Sequence, residues 1–151
     1  MIIKSLDHLK IISNKIAEKI SPKDCIFLIG EIGVGKTTFA RSIINYIQER
    51  EGLSKTQVLS PTFNLLYEYE IKKLKIMHYD LYRIKKNSEI IQLGIFDEDI
   101  ENIKIIEWPQ LIEVNVIDRL EIKLNYSRKE NERELSLAGY GKWKNIKINE
   151  L

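Results

Sequence analysis

A single cysteine, Cys25, stands in this 151-residue chain. That excludes an internal disulfide, so no disulfide partner is expected, and no Cys/His cluster has zinc-site spacing. Cys25 abuts an apolar run, where a free thiol behaves as a small buried hydrophobe. With three prolines and seven glycines, the chain shows no linker, internal repeat or low-complexity tract. Excess charge is also missing. Lys+Arg 24 against Asp+Glu 22 leaves +2, which gives no footprint of a dedicated nucleic-acid binder. No run approaches the ~20 apolar residues of a membrane span. Lys4, Asp7, His8 and Lys10 interrupt the N-terminal stretch, so it has no signal-peptide core. The expectation is a cytoplasmic protein with no membrane partner, folded as one domain over 1–151 around a sizeable core.

What is present is periodic. Leu6, Leu9, Ile12, Ile16 and Ile20 predict a helix over Ser5 to Ile20, capped by Ser5 and closed by Ser21-Pro22. Cys25 to Ile29 is a short apolar run of the kind that makes a buried strand. Helical spacing returns from Thr37 to Arg50, with Ala40, Ile43, Ile44 and Ile47 on one face and Gly52 as the stop. Two antiparallel strands are predicted at Phe63–Tyr69 and Leu74–Asp80, turning at Ile71-Lys72-Lys73. A short helix follows from Ser88 to Leu93, then a strand from Ile103 that Pro109 stops. Alternation in "DRLEIKLNY" and "RELSLAGY" predicts a last hairpin. The fold class expected is α/β, a mixed sheet with a parallel core extended by antiparallel strands and flanked by helices.

Three of the seven glycines crowd between Ile29 and Lys36. Gly30, Gly35, Lys36 and Thr37 fit G-x-x-x-x-G-K-[ST], with an apolar strand before the loop and an amphipathic helix after it. Glycines let the backbone curl so that successive N–H groups converge on phosphate oxygens, and the helix N-terminus adds partial positive charge. Residues 31–38 (Glu31, Ile32, Gly33, Val34, Gly35, Lys36, Thr37, Thr38) are therefore the expected nucleotide cradle. Lys36 is placed to reach the β- and γ-phosphates, and the Thr37 hydroxyl to ligate Mg²⁺. Such a loop needs carboxylate help. Asp80 and Glu107 end predicted strands, where open α/β sheets place their ligand crevice. Each is either a metal-side acid or a solvated strand-end acid.

"GEIGVGKTTFAR", "SPTFNLLYEY", "HYDLYR" and "EWPQ" occur in that order. Together they resemble the TsaE (YjeE) family, bacterial P-loop ATPases needed to make N6-threonylcarbamoyladenosine in tRNA. The resemblance runs from the first helix to the last hairpin. It implies a P-loop NTPase fold, ATP and Mg²⁺ as ligands, TsaD and TsaB as partner proteins, and tRNA met indirectly through the complex. It implies a switch-type role for Thr62, a Walker B-like role for Asp80, and water positioning or metal assistance for Glu107. The catalytic set is then Lys36, Thr62, Asp80 and Glu107, and the metal set Thr37, Asp80 and Glu107. Trp108 either lies near nucleotide or partner, or packs. Tyr79 and Tyr82 are expected on the opposite strand face, and His78 as a packing histidine or one behind the site. Arg83 contacts phosphate or tRNA, or pairs with an acid. Lys85-Lys86 is a solvated turn or a basic edge near tRNA. Glu31, Val34 and Gln110 depart modestly from the family pattern.

Two other enzyme classes share the loop. A small metabolite kinase needs an arginine-bearing lid, and the few arginines here do not cluster. A GTPase needs N-K-x-D, yet Asn14-Lys15 is followed by Ile16-Ala17. A nucleotide-binding module whose partner matters more than its turnover stays close to the ATPase reading.

Overall fold

The chain's short apolar runs become strands of one sheet in a computed structural model that describes residues 1–97, 101–113 and 115–148. In chain order the strands are β1 (Ile2–Ile3), β2 (Cys25–Ile29), β3 (Leu66–Ile71), β4 (Leu74–Asp80), β5 (Ile103–Glu107), β6 (Arg119–Tyr126) and β7 (Arg133–Gly139). Their order across the sheet is β1-β7-β6-β2-β5-β4-β3. β2 runs parallel to β5 and β6, and β4 parallel to β5. Antiparallel pairing adds β3 to β4, β7 to β6 and β1 to β7. The mixed sheet with a parallel core and antiparallel flanks is the fold expected from the sequence.

β2 lies between two parallel neighbours, which is why it reads as an unbroken apolar run. Its alternate side chains sort onto two cores. Ile26 and Leu28 join the face covered by helices α1 (Leu6–Lys19) and α2 (Lys36–Arg50). Cys25 and Phe27 join the face covered by α3 (Asn87–Gln92) and the segment after it, through Ile84, Ile90 and Ile95. The period of two carries over to the functional strands. On β4, Ile76 faces α2 and Tyr79 the other side; on β5, Ile103 and Ile105 face α2 and Ile106 the other side. By that parity His78, Asp80 and Glu107 stand on the α2 face, where the glycine loop ends.

α1 forms where its cap was expected. The Ser5 hydroxyl accepts the His8 N–H at 3.1 Å, Asp7 sits in the first turn and Lys19 in the last. Leu9, Ile12, Ile16 and Ala17 are buried against α2, where the Ser13 hydroxyl donates to that of Ser42 at 2.6 Å. Burial of each such aliphatic side chain contributes roughly 1.5–3 kcal/mol.

One expectation is revised, one strand boundary is sharpened and one strand is new. Phe63 to Leu65 are not strand. The Leu65 N–H closes back on the Pro61 carbonyl at 2.6 Å, Leu65 has φ 65°, and Phe63 is 83% exposed. The strand from Ile103 ends at Glu107, because Trp108 takes φ 59° and Pro109 opens a 3-10 turn. β1, not foreseen, pairs Ile2 and Ile3 with Glu134 and Arg133.

Candidate functional site

The loop between β2 and α2 takes the backbone that its glycines permit. Gly33 and Gly35 have φ 75° and 118°, a region that side chains with a Cβ rarely adopt. At Gly30 the reason is space as well, since a Cβ there would lie 2.3 Å from the Leu124 carbonyl oxygen. α2 begins at Lys36 without a side-chain cap, so its first N–H groups are left for a ligand. Lys36 is only 5% exposed. Its ammonium donates to the carbonyls of Gly30 at 2.9 Å and Glu31 at 2.8 Å, and sits 4.1 Å from the Trp108 ring centroid. Burial pulls its pKa below the usual lysine value, with Glu107 and Asp80 acting in the other direction.

The two strand-end acids lie side by side in register, but they hold different partners. Glu107 ends the strand next to the loop strand. Its Oε1 and Oε2 accept the Thr37 hydroxyl at 2.9 and 3.1 Å. Oε1 also lies 2.9 Å from Nε2 of His78. Asp80, one strand farther out, takes the Thr62 hydroxyl on Oδ2 at 2.6 Å and the Tyr82 N–H on Oδ1 at 2.9 Å. The Ser60 and Thr62 hydroxyls are 2.7 Å apart. Asp80 therefore fastens the segment 60–62 to the mouth of the loop.

These groups surround a cleft of about 250 Å³. Of the residues expected there, Ile32, Gly33, Gly35, Lys36, Thr37, Thr38, Thr62, Asp80 and Glu107 line it, with Trp108. Glu31 turns an exposed side chain to solvent and contributes its carbonyl to Lys36. Val34 buries its side chain in the α2-side core. His78 stands behind the site, fully buried. Tyr79 packs on the opposite face as expected, but Tyr82 does not. β4 ends at Asp80, and the Asp80–Tyr82 turn breaks the alternation. Tyr82 instead lies 4.9 Å from the Trp108 ring and lines the cleft. Arg83 stands over the Phe63 ring at 5.7 Å.

Two residues without any sequence signal support the loop from outside. Tyr126 donates its hydroxyl to the Ile32 carbonyl at 2.8 Å, and Arg133 its Nε–H to the Val34 carbonyl at 3.1 Å. They are cross-strand partners on β6 and β7, with the guanidinium 4.7 Å from the tyrosine ring.

A hydroxyl, two carboxylates and a cradle of N–H groups form a donor set for a hard cation carrying phosphate. Among the described residues no group of three or more His, Cys, Asp or Glu is arranged to hold a metal. Magnesium does not need one, because it binds through one or two carboxylates plus waters and substrate phosphates. The residues present fit Mg²⁺ with a nucleotide.

Residues 3–135 match the model of the family described as "Threonylcarbamoyl adenosine biosynthesis protein TsaE". The chain belongs to the TsaE family. Over 152 residues it is 37% identical to the tRNA threonylcarbamoyladenosine biosynthesis protein TsaE of Rickettsia conorii, covering 91% of this chain and 84% of that protein. Over 137 residues it is 31% identical to the protein of the same name from Bacillus subtilis, covering 89% and 82%. The crystal structure of Bacillus subtilis YdiB matches with a TM-score of 0.68 at 26% identity, covering 94% of this chain and 85% of that one. The segments that resembled TsaE converge on the cleft, supplying Thr62, Asp80, Glu107 and Trp108 beside the loop. No helix among the described residues is long and apolar enough to cross a membrane.

Proposed function

We propose that the cleft binds Mg·ATP and hydrolyses it, and that this ATPase serves tRNA threonylcarbamoyladenosine synthesis as a cytoplasmic subunit. Its partners are TsaD and TsaB, and it meets tRNA indirectly through them. The observation that carries the nucleotide reading is the direct bond between Thr37 and Glu107 at the mouth of a glycine loop, beside a buried lysine held by that loop's own carbonyls. Membership of the TsaE family supports the pathway.

The chain's residues divide the work by position. The loop's N–H groups and the α2 N-terminus receive phosphate oxygens. Lys36 exchanges its two carbonyl partners for phosphate, a stronger, charge-assisted bond. Thr37 and Glu107 hold the cation. Glu107 takes the main metal-side role in this reading, ahead of Asp80, and its hydrogen bond from the Thr37 hydroxyl supports that division. Magnesium, when bound, neutralises charge on the phosphates and polarises them. Asp80 keeps Thr62 at the cleft edge, where the threonine orients the attacking water. Trp108 and Tyr82 shield the lysine side from bulk water.

The deciding experiment is an ATPase assay with Mg²⁺, run alone and with the cognate TsaB and TsaD. The expected result is Mg²⁺-dependent release of phosphate from ATP that rises when both partners are added. Tight ATP binding without turnover under any of these conditions would leave a nucleotide-binding module instead.

A further inference from the structure

His78 has no part in the chemistry above, yet it is a fully buried polar side chain on the functional face of the sheet. Its Nε2 lies 2.9 Å from Oε1 of Glu107, itself only 2% exposed. Its Nδ1 is buried with no hydrogen-bond partner among the described residues. We propose that His78 is a positioning residue: with its proton on Nε2, it donates to Glu107 Oε1 and presets that carboxylate against the Thr37 hydroxyl before a cation binds. This role rests on the reading of Thr37 and Glu107 as the cation-holding pair.

The tautomer follows from the partners. An ionised carboxylate only accepts, so the nitrogen facing it must carry the hydrogen. The opposite tautomer would leave a buried Nδ1–H with no acceptor and would need the proton to lie on Glu107. The backbone adds precision. His78 and Glu107 stand on adjacent parallel strands, with His78 opposite Ile105, so the ring is delivered from a rigid element. The end torsion of a glutamate is broad and roughly two-fold. One fixed donor on Oε1 removes that freedom and holds both carboxylate oxygens within reach of the Thr37 hydroxyl. Donors behind a ligating carboxylate orient it, and their loss typically costs 10–100-fold in metal affinity or activity.

Two measurements test the role. Long-range ¹H–¹⁵N correlation spectra of the unliganded protein report the tautomer directly. His8 is the one other histidine, and a His8→Gln variant assigns the signals. Nε2 should carry the proton; a proton on Nδ1 overturns the proposal. Second, a fluorescent ATP analogue is titrated with Mg²⁺ and with chelator, and the ratio of the two affinities compared across variants. His78→Leu should lose about 10–100-fold of the Mg²⁺-linked gain and leave the chelator affinity unchanged. His78→Gln, whose amide nitrogen falls near the position of Nε2, should restore most of it. If both variants keep the gain, or if His78→Leu weakens both affinities alike, His78 is merely structural and the proposal falls. A wild-type protein that shows no Mg²⁺-linked gain would overturn the cation-site reading itself, and the tautomer measurement keeps that failure separate.

Discussion

At the scale of single residues, the site separates two acids that look alike in sequence. Asp80 and Glu107 are register partners at strand ends, but Glu107 bonds the loop threonine and Asp80 bonds Thr62. Glu107→Ala is therefore expected to weaken Mg²⁺-dependent ATP binding by about tenfold or more, as loss of an anion beside a divalent cation does in the ground state. Asp80→Ala should keep affinity within a few-fold and lower partner-stimulated kcat by ~10²-fold, the scale of a lost positioning group. Equilibrium titration and steady-state turnover on both variants decide it, and the reverse pattern would return the metal role to Asp80. Cys25 makes a contrasting case with no function attached. Burial pushes its thiol from 9.0 up to about 12. The thiolate is the nucleophile, so the native protein should resist iodoacetamide near pH ~8 and react only on unfolding. A raised thiol pKa favours the folded state fully below the unfolded value. That contribution is lost as pH climbs from 9.0 towards about 12. Cys25→Ala should remove this share of the alkaline loss of stability, measured as the difference between the two denaturation profiles; identical profiles would show that the thiol titrates freely in the fold.

At the scale of elements, patterns of period two and 3.6 were legible and most boundaries followed from them. β2, β4 and both long helices lie within a residue of where the apolar spacing and capping residues place them. The loop and the acids Asp80 and Glu107 were legible too, because strand, glycines and helix stand in one contiguous stretch. What could not be seen depends on distance or on local strain. β1 is two residues long, too short for any period. Trp108 adopts a positive φ that its residue type disfavours, and the 60–65 turn is set by Thr62 reaching Asp80, eighteen positions away. Tyr126 and Arg133 look like ordinary residues at strand ends until the sheet order brings the β6–β7 hairpin beside the loop. By tying up the Ile32 and Val34 carbonyls from outside, they leave the opposite edge of the same peptides facing the cleft. Tyr126→Phe deletes one such bond and keeps the ring. Its expected effect is a two- to tenfold loss of ATP affinity, from a bond of about 0.5–1.5 kcal/mol, with little change in unfolding midpoint. Unchanged affinity in the fluorescence titration would mean that the loop holds its shape without the hairpin.

At the scale of the whole molecule, the chain after β7 returns to the foot of the strand that carries the loop. Trp143 is 3% exposed and packs into the α2-side core. Its indole N–H donates to Asp24 Oδ1 at 3.2 Å, just before β2 begins. Asp24 is itself 2% exposed, and its other oxygen accepts the Ser21 N–H at 2.8 Å and faces the Lys142 ammonium at 2.5 Å. Gly139 admits this return, since a Cβ there would meet the Trp143 carbonyl oxygen at 1.9 Å. The family match ends at residue 135, so this closure lies beyond the part of the chain that the family model describes. Two substitutions separate packing from the buried bond. Trp143→Ala removes a large side chain from a filled core and should cost about 3–5 kcal/mol. Trp143→Phe keeps much of the ring but withdraws one donor from Asp24, which retains Ser21 and Lys142; a cost of about 1–3 kcal/mol is expected. Urea unfolding followed by circular dichroism gives both values without relying on the tryptophan as the probe. Because the sheet order ties β2 to β6 and β6 to β7, the loss should appear as one cooperative transition at a lower urea midpoint with an unchanged slope. A Trp143→Ala protein within about 1 kcal/mol of the parent, or a separate early transition, would show that the C-terminal turn is an appendage and that the loop strand is held by the sheet alone.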